Sequence, residues 1–128
     1  MSKYNRTILA VDYDFDNREV IKLLLSRYGY TVEAIENAAE ALVLVREKRF
    51  DLILAEFRLP DMDGAEFCRR FREFDNRTPF VFFSASVENK QKERGLAAGA
   101  QAYLFKPDDL DNVAETVGDL ILRSSIYA

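Results

Sequence analysis

Four apolar runs in this 128-residue chain finish on residues that can carry charge or donate a proton. Asp12, Tyr13 and Asp14 follow the run Thr7–Val11, and Glu56, Phe57 and Arg58 follow Leu52–Ala55. Ser84 closes the run that starts at Phe80, with Ala85 next, and Lys106-Pro107 follows Ala102–Phe105. Any one of these is ordinary, because strand ends meet water. Together they are two or three carboxylates, a hydroxyl and an ammonium. Gathered on one edge, such a set makes a charged pocket in which chemistry is possible. The chain also excludes much. It has no histidine, which removes a histidine base, a histidine metal ligand and a phosphohistidine donor. Its one cysteine, Cys68, allows no internal disulfide, fits a reducing compartment and reads as core.

A fold must bring the run ends together. Those four runs and a fifth, Thr31–Ile35, are mostly continuous rather than alternating, the pattern of strands buried on both faces. Segments of helical period lie between and after them. Val20, Ile21, Leu24, Leu25 and Tyr28 share one face of a helix, with Asp16 and Glu19 as its capping box and Gly29 as its stop. Asn37 and Glu40 offer a second capping box. Phe67, Phe71 and Phe74 mark a third helix after Gly64, itself expected in a tight turn with positive φ. A polar fourth helix runs from about Glu88 to Ala98 and ends at Gly99. Leu110, Val113, Ala114, Val117, Leu120 and Ile121 mark the fifth. Five strands alternating with five helices predict an α/β, doubly wound, five-stranded parallel sheet with helices on both faces. In that architecture functional groups collect beyond the carboxyl ends of the strands.

The bulk properties agree. Apolar residues are 48% of the chain, enough for a real core. A net charge of −4 argues against nucleic acid as a direct partner, and the cluster Arg69, Arg70, Arg72 reads as a solvated helix face. No apolar run approaches the ~20 residues of a membrane span, and the first residues lack the apolar stretch of a signal peptide. The expectation is one cytoplasmic domain over residues 1–128, its core from about 7 to 122.

The motifs "ILAVDYD", "LPDMDG", "FFSAS" and "GLAAGAQAYLFKP" are specific, and on them the chain resembles the receiver domains of two-component response regulators from about Thr7 to Leu122. The resemblance implies a flavodoxin-like sheet of order 2-1-3-4-5. It places Asp12 as first acid of a metal-binding pair, Ser84 as the switch hydroxyl, and Lys106 as the lysine that pairs with the phosphoacceptor. Tyr103 stands at the aromatic that turns inward on activation, and Arg58 where a backbone carbonyl meets the metal. Two positions depart from the pattern. Tyr13 replaces the second acid of the pair, and Glu56 stands where the phosphoacceptor aspartate belongs.

Both departures act against phosphoryl transfer, which needs in-line positioning and a cation on the developing charge. Magnesium demands near-ideal octahedral oxygen geometry, and a phenol is a poor substitute for a carboxylate. Glu56 reaches one methylene further, toward Lys106 and Ser84. A carboxylate–ammonium pair at about 4 Å is worth about 4 kcal/mol before desolvation, so a standing Glu56–Lys106 pair would hold the pocket in one state. Tyr13 either blocks the pocket or merely covers its mouth. Asp14 either starts the first helix or swings in as a substitute ligand, and Tyr103 is either a switch or a half-buried strand aromatic.

The reading is therefore an atypical pseudo-receiver, not an enzyme and not phosphorylated, that works by protein–protein interaction. The alternative is a working phosphoacceptor with a metal site of Asp12, Asp14, Glu56 and the Arg58 carbonyl. A weaker one is a flavodoxin-like small-ligand binder, for which no phosphate cradle follows the first strand. No cofactor is expected beyond weakly bound magnesium. With no effector domain expected after Leu122, output falls to a histidine kinase, phosphotransfer or effector protein, or to self-association. The expected surface is the face of the fourth helix, fifth strand and fifth helix, with no membrane and no direct nucleic acid.

Overall fold

A computed structural model describes residues 6–126. Its elements are β1 (Thr7–Val11), α1 (Phe15–Ser26), β2 (Thr31–Ile35), α2 (Ala38–Glu47), β3 (Leu52–Ala55), α3 (Gly64–Arg72), β4 (Phe80–Ser84), α4 (Asn89–Ala97), β5 (Ala102–Phe105), a 3-10 turn (Leu110–Asn112) and α5 (Val113–Ile126). The sheet order is β2-β1-β3-β4-β5 and every neighbouring pair is parallel. All five strands fall on the five apolar runs.

Strand side chains alternate between two cores, which is why the runs are continuous. Leu9, Val11, Ile53, Ala55, Phe80 and Phe82 face α2, α3 and α4. Ile8, Ala10, Leu52, Leu54, Val81 and Phe83 face α1 and α5, where Ile21, Leu25, Val113, Val117 and Ile121 close over them. The first core is unusually aromatic. Phe57, Phe82 and Tyr103 form a triangle with centroids 5.5, 5.4 and 6.1 Å apart, directly beneath the strand ends. Burial of each such ring contributes about 1.5–3 kcal/mol. No described helix is long and apolar enough to cross a membrane.

Several local expectations change. The cap of α1 is Asp14, which accepts from the Asn17 amide, and not the Asp16–Glu19 pair. Asp12 accepts from the Asp14 amide, and this turn starts the helix two residues early. Val20 and Tyr28 are exposed, leaving Ile21 and Leu25 to bury the helix. The Asn37 cap accepts from the Glu40 amide as its sequence suggests. Phe74 lies beyond α3, on the surface.

Gly64 has no positive φ; among the described residues only Gly29 and Gly99 do. The reason for Gly64 is close packing. A Cβ there would run into the Phe82 ring and stand 3.0 Å from the Phe57 Cα. Gly95 in α4 meets the other edge of the same ring, where a Cβ would lie 2.7 Å away. Phe82 is thus a wedge gripped by two helices.

Candidate functional site

The carboxyl ends of β1, β3, β4 and β5 deliver Asp12, Glu56, Ser84 and Lys106 to one place. The strands do this by register. Val11 pairs with Ala55, Ala55 with Phe82, and Ser84 with Phe105, so each functional residue sits at or one step past a paired row. Asp12 and Glu56 are buried at 1% and 6% exposure, and Ser84 is fully buried.

Buried carboxylates need donors, and these have them. Lys106 Nζ lies between the two acids, 2.5 Å from Asp12 Oδ2 and 3.1 Å from Glu56 Oε1. Glu56 Oε1 also accepts from the Ala85 amide at 3.3 Å. Glu56 Oε2 accepts from the Phe57 amide at 2.6 Å, the Arg58 amide at 3.3 Å and the Ser84 hydroxyl. Asp12 Oδ1 accepts from the Asp14 amide at 2.9 Å. Every oxygen of both carboxylates therefore has a donor. Pairs like this are costly to break, because removal of one partner strands the other charge.

A hydrogen-bond relay leads away from Glu56. Ser84 Oγ donates to Glu56 and accepts from the Ser86 amide at 3.0 Å. The Ser86 carbonyl accepts from the Tyr103 hydroxyl at 2.9 Å. Tyr103 is 5% exposed, with its ring turned into the aromatic core. Burial, the largest influence, raises its phenol above the ordinary value against hydrogen bonds that lower it.

The remaining candidates meet the carboxylate centre through backbone amides, at Asp14 and Arg58, or face solvent, at Tyr13. Tyr13 is 60% exposed. Asp14 spends Oδ1 on the α1 cap. Arg58 meets Glu56 with its amide, and its strand-like bridge is to Asp63. Among the described residues, no three His, Cys, Asp or Glu side chains gather as a metal site. Sequence reasoning missed Arg18, whose Nη1 donates to the Asp12 carbonyl at 2.7 Å and braces the loop above β1. It also missed the amides of Phe57 and Ala85. An arginine one turn into the helix after an acidic loop was the available signal for Arg18; backbone donors carry no side-chain signature.

Comparison with known proteins agrees with this architecture. The family model described as "Response regulator receiver domain" matches residues 8–118. The chain is 40% identical over 117 residues to the sensor histidine kinase AruS of Pseudomonas aeruginosa, covering 88% of this chain and 12% of that one. It is 34% identical over 126 residues to the transcriptional regulatory protein ResD of Bacillus subtilis, covering 98% and 52%. The chain thus spans about half or less of the length of these relatives. Among solved structures, a CheY-like receiver domain protein from Methanospirillum hungatei superposes with a TM-score of 0.90 at 26% identity, covering 96% of this chain and 98% of that one. A two-component response regulator from Clostridium difficile gives 0.86 at 29%, covering 92% and 97%. On the matched family model, the shared sheet order and the relatives above 30% identity, this chain belongs to the response regulator receiver domain family.

Proposed function

We propose that this receiver domain signals by binding a protein partner, without accepting a phosphoryl group and without catalysis of its own. The observation that carries the reading is the Lys106 ammonium lodged between Asp12 and Glu56. In this reading Glu56 stands at the phosphoacceptor position, and its longer side chain puts a carboxylate where phosphoryl oxygens would sit. Ser84, Lys106 and the Ala85 amide then hold that carboxylate as they would hold a phosphoryl group. Tyr103, turned inward and bonded to Ser86, supports a pocket standing in its signalling arrangement.

Magnesium is the cation the family implies, and the donor set here does not fit it as arranged. All four carboxylate oxygens of Asp12 and Glu56 are met by protein donors, Tyr13 points to solvent, and Asp14 caps α1. A divalent ion would have to compete with Lys106 and the surrounding amides for these oxygens.

The partner surface in this reading is the face of α4, β5 and α5. Its charges are mixed, with Lys90, Lys92 and Arg94 among Glu88 and Glu93, which suits a selective and salt-sensitive contact. Two measurements test the proposal. Intact-mass spectrometry after incubation with acetyl phosphate and magnesium is expected to show no added phosphoryl group; a phosphorylated Glu56 overturns it. Partner affinity is expected to change in Glu56→Ala by about 1–3 kcal/mol, the usual scale of coupling between sites. An unchanged affinity, with the fold intact, would reduce the pocket to a relic.

A further inference from the structure

The opposite end of the sheet carries a second charged site. There the amino ends of the strands, the α2–β3 and α3–β4 connections and the end of α5 surround two depressions of about 340 and 320 Å³. They meet at Arg49, Thr78 and Ser124, which line both. Arg77 belongs to the first and Arg6, with Ser125, to the second. None of these three guanidiniums has a carboxylate partner among the described residues.

Two acids line the same depressions, and each accepts from backbone amides or a hydroxyl. Asp75 Oδ1 accepts from the Arg77 and Thr78 amides at 2.9 Å each, and Oδ2 from the Thr78 hydroxyl at 2.7 Å. Asp51 Oδ2 accepts from the Thr7 amide at 2.8 Å. Neither is spent on a guanidinium of the site.

The walls are preformed. Arg72 reaches across from α3 and donates to the carbonyls of Thr78, Gly99 and Asp75 at 2.7, 3.0 and 3.1 Å, and to the Gln101 side-chain oxygen at 3.0 Å. Its hydrogen bonds all go to neutral oxygens, so the clamp fixes the α3–β4 connection and adds positive charge behind it. A site held open in advance loses less on binding.

We propose that this end binds a small ligand carrying two or more linked phosphoryl groups. Guanidinium forks match phosphate oxygens in pairs, and with Arg72 behind them four guanidiniums stand against the carboxylates of Asp75 and Asp51, a local excess of positive charge that calls for more than one negative charge. Depressions of this size are at the small end of the range for small-molecule sites, roughly 300–1,000 Å³. The whole chain, at −4, repels anions in general, so attraction must come from the local arrangement, which favours a compact ligand over an extended polyanion. Phe74 lines the first depression with the Arg46 guanidinium 4.4 Å from its ring centroid, so a nucleobase, where one is present, has only the uncovered part of that ring to lie against.

Titration of the full chain by amide chemical shifts, without added metal and at constant ionic strength, tests the site. Pyrophosphate and ATP serve as separate probes. Both are expected to saturate with dissociation constants below about 1 mM, perturbing the amides of Arg49, Thr78 and Ser124. Equal affinity for the two means that phosphates alone are read; tighter ATP means the base contributes. Arg49→Gln, at the junction of both depressions, should weaken either probe by about tenfold or more. If that variant melts early, Arg6→Gln combined with Arg77→Gln replaces it, with the same expected loss. Absence of saturation, undiminished affinity in the folded variants, or shifts confined to the Phe57 and Ala85 amides would overturn the proposal. The last outcome places the anion in the Glu56 pocket instead, so it also bears separately on the proposed function.

Discussion

Glu56 illustrates how far a single residue can be read. Its place at a strand end and the acids, hydroxyl and lysine at neighbouring ends were legible because each follows an apolar run. That Lys106 bridges two carboxylates was only half legible: the pair with Glu56 follows from the longer side chain, but the contact with Asp12 depends on the loop geometry that Arg18 braces. The bridge makes Lys106 costly to remove. Lys106→Met leaves two buried carboxylates facing each other, and urea unfolding should show a loss of about 3–5 kcal/mol. Glu56→Gln turns a donating NH2 toward one set of these donors, but it leaves Lys106 paired with Asp12 and strands no buried charge, so it should cost less than Lys106→Met; equal losses would contradict the bridge. Cys68 gives a second check at this scale. Burial pushes its thiol up to about 11, against the nearby charges of Arg72 and Arg69. Maleimide at pH 7 should therefore label the native protein far more slowly than the urea-unfolded chain.

At the scale of elements, the start of α1 is the boundary that the sequence pattern misplaces. Three acids crowd the start of α1, and pattern alone gives no reason to prefer Asp14 over Asp16 as cap. The choice is made by Asp12, which takes the Asp14 amide and so sets where the helix begins. Asp14→Ala should cost about 1 kcal/mol, while Asp16→Ala should stay within about 0.5 kcal/mol, both read from denaturant midpoints. Caps and turns also set the response to acid. Burial would raise the Asp75 and Asp63 carboxyls, yet hydrogen bonds from Thr78 and Arg77, and from Glu66 and Arg94, win and leave both below the ordinary 3.8. The unfolded chain therefore takes up these protons first. Their stabilisation is complete above about pH 4 and is lost as pH falls from there toward the folded values. Unfolding free energy should accordingly fall below pH 4, and Asp75→Asn should flatten that fall while lowering stability at pH 7.

For the whole molecule, the fold was the most legible level. Continuous apolar runs alternating with helical periods leave few windings, and the structure takes the one the motifs imply. What composition hid was the interlocking of helices across the first core. A run such as Phe80–Ser84 announces a buried strand, but not which ring two helices close upon. The grip of Gly64 and Gly95 on Phe82 makes the history of substitution order-dependent. In the present background Gly95→Ala has no room and should cost more than 1 kcal/mol. Once Phe82→Leu has been accepted, with its own cavity cost, the same alanine fills vacated space and its penalty should shrink in a double-mutant cycle. Gly64→Ala gains only part of that release, because the Phe57 Cα still stands 3.0 Å from its Cβ whatever side chain occupies position 82. A lineage of this domain can thus loosen α4 only after shrinking the wedge, and it can exchange Gly64 only by moving the backbone of β3's exit.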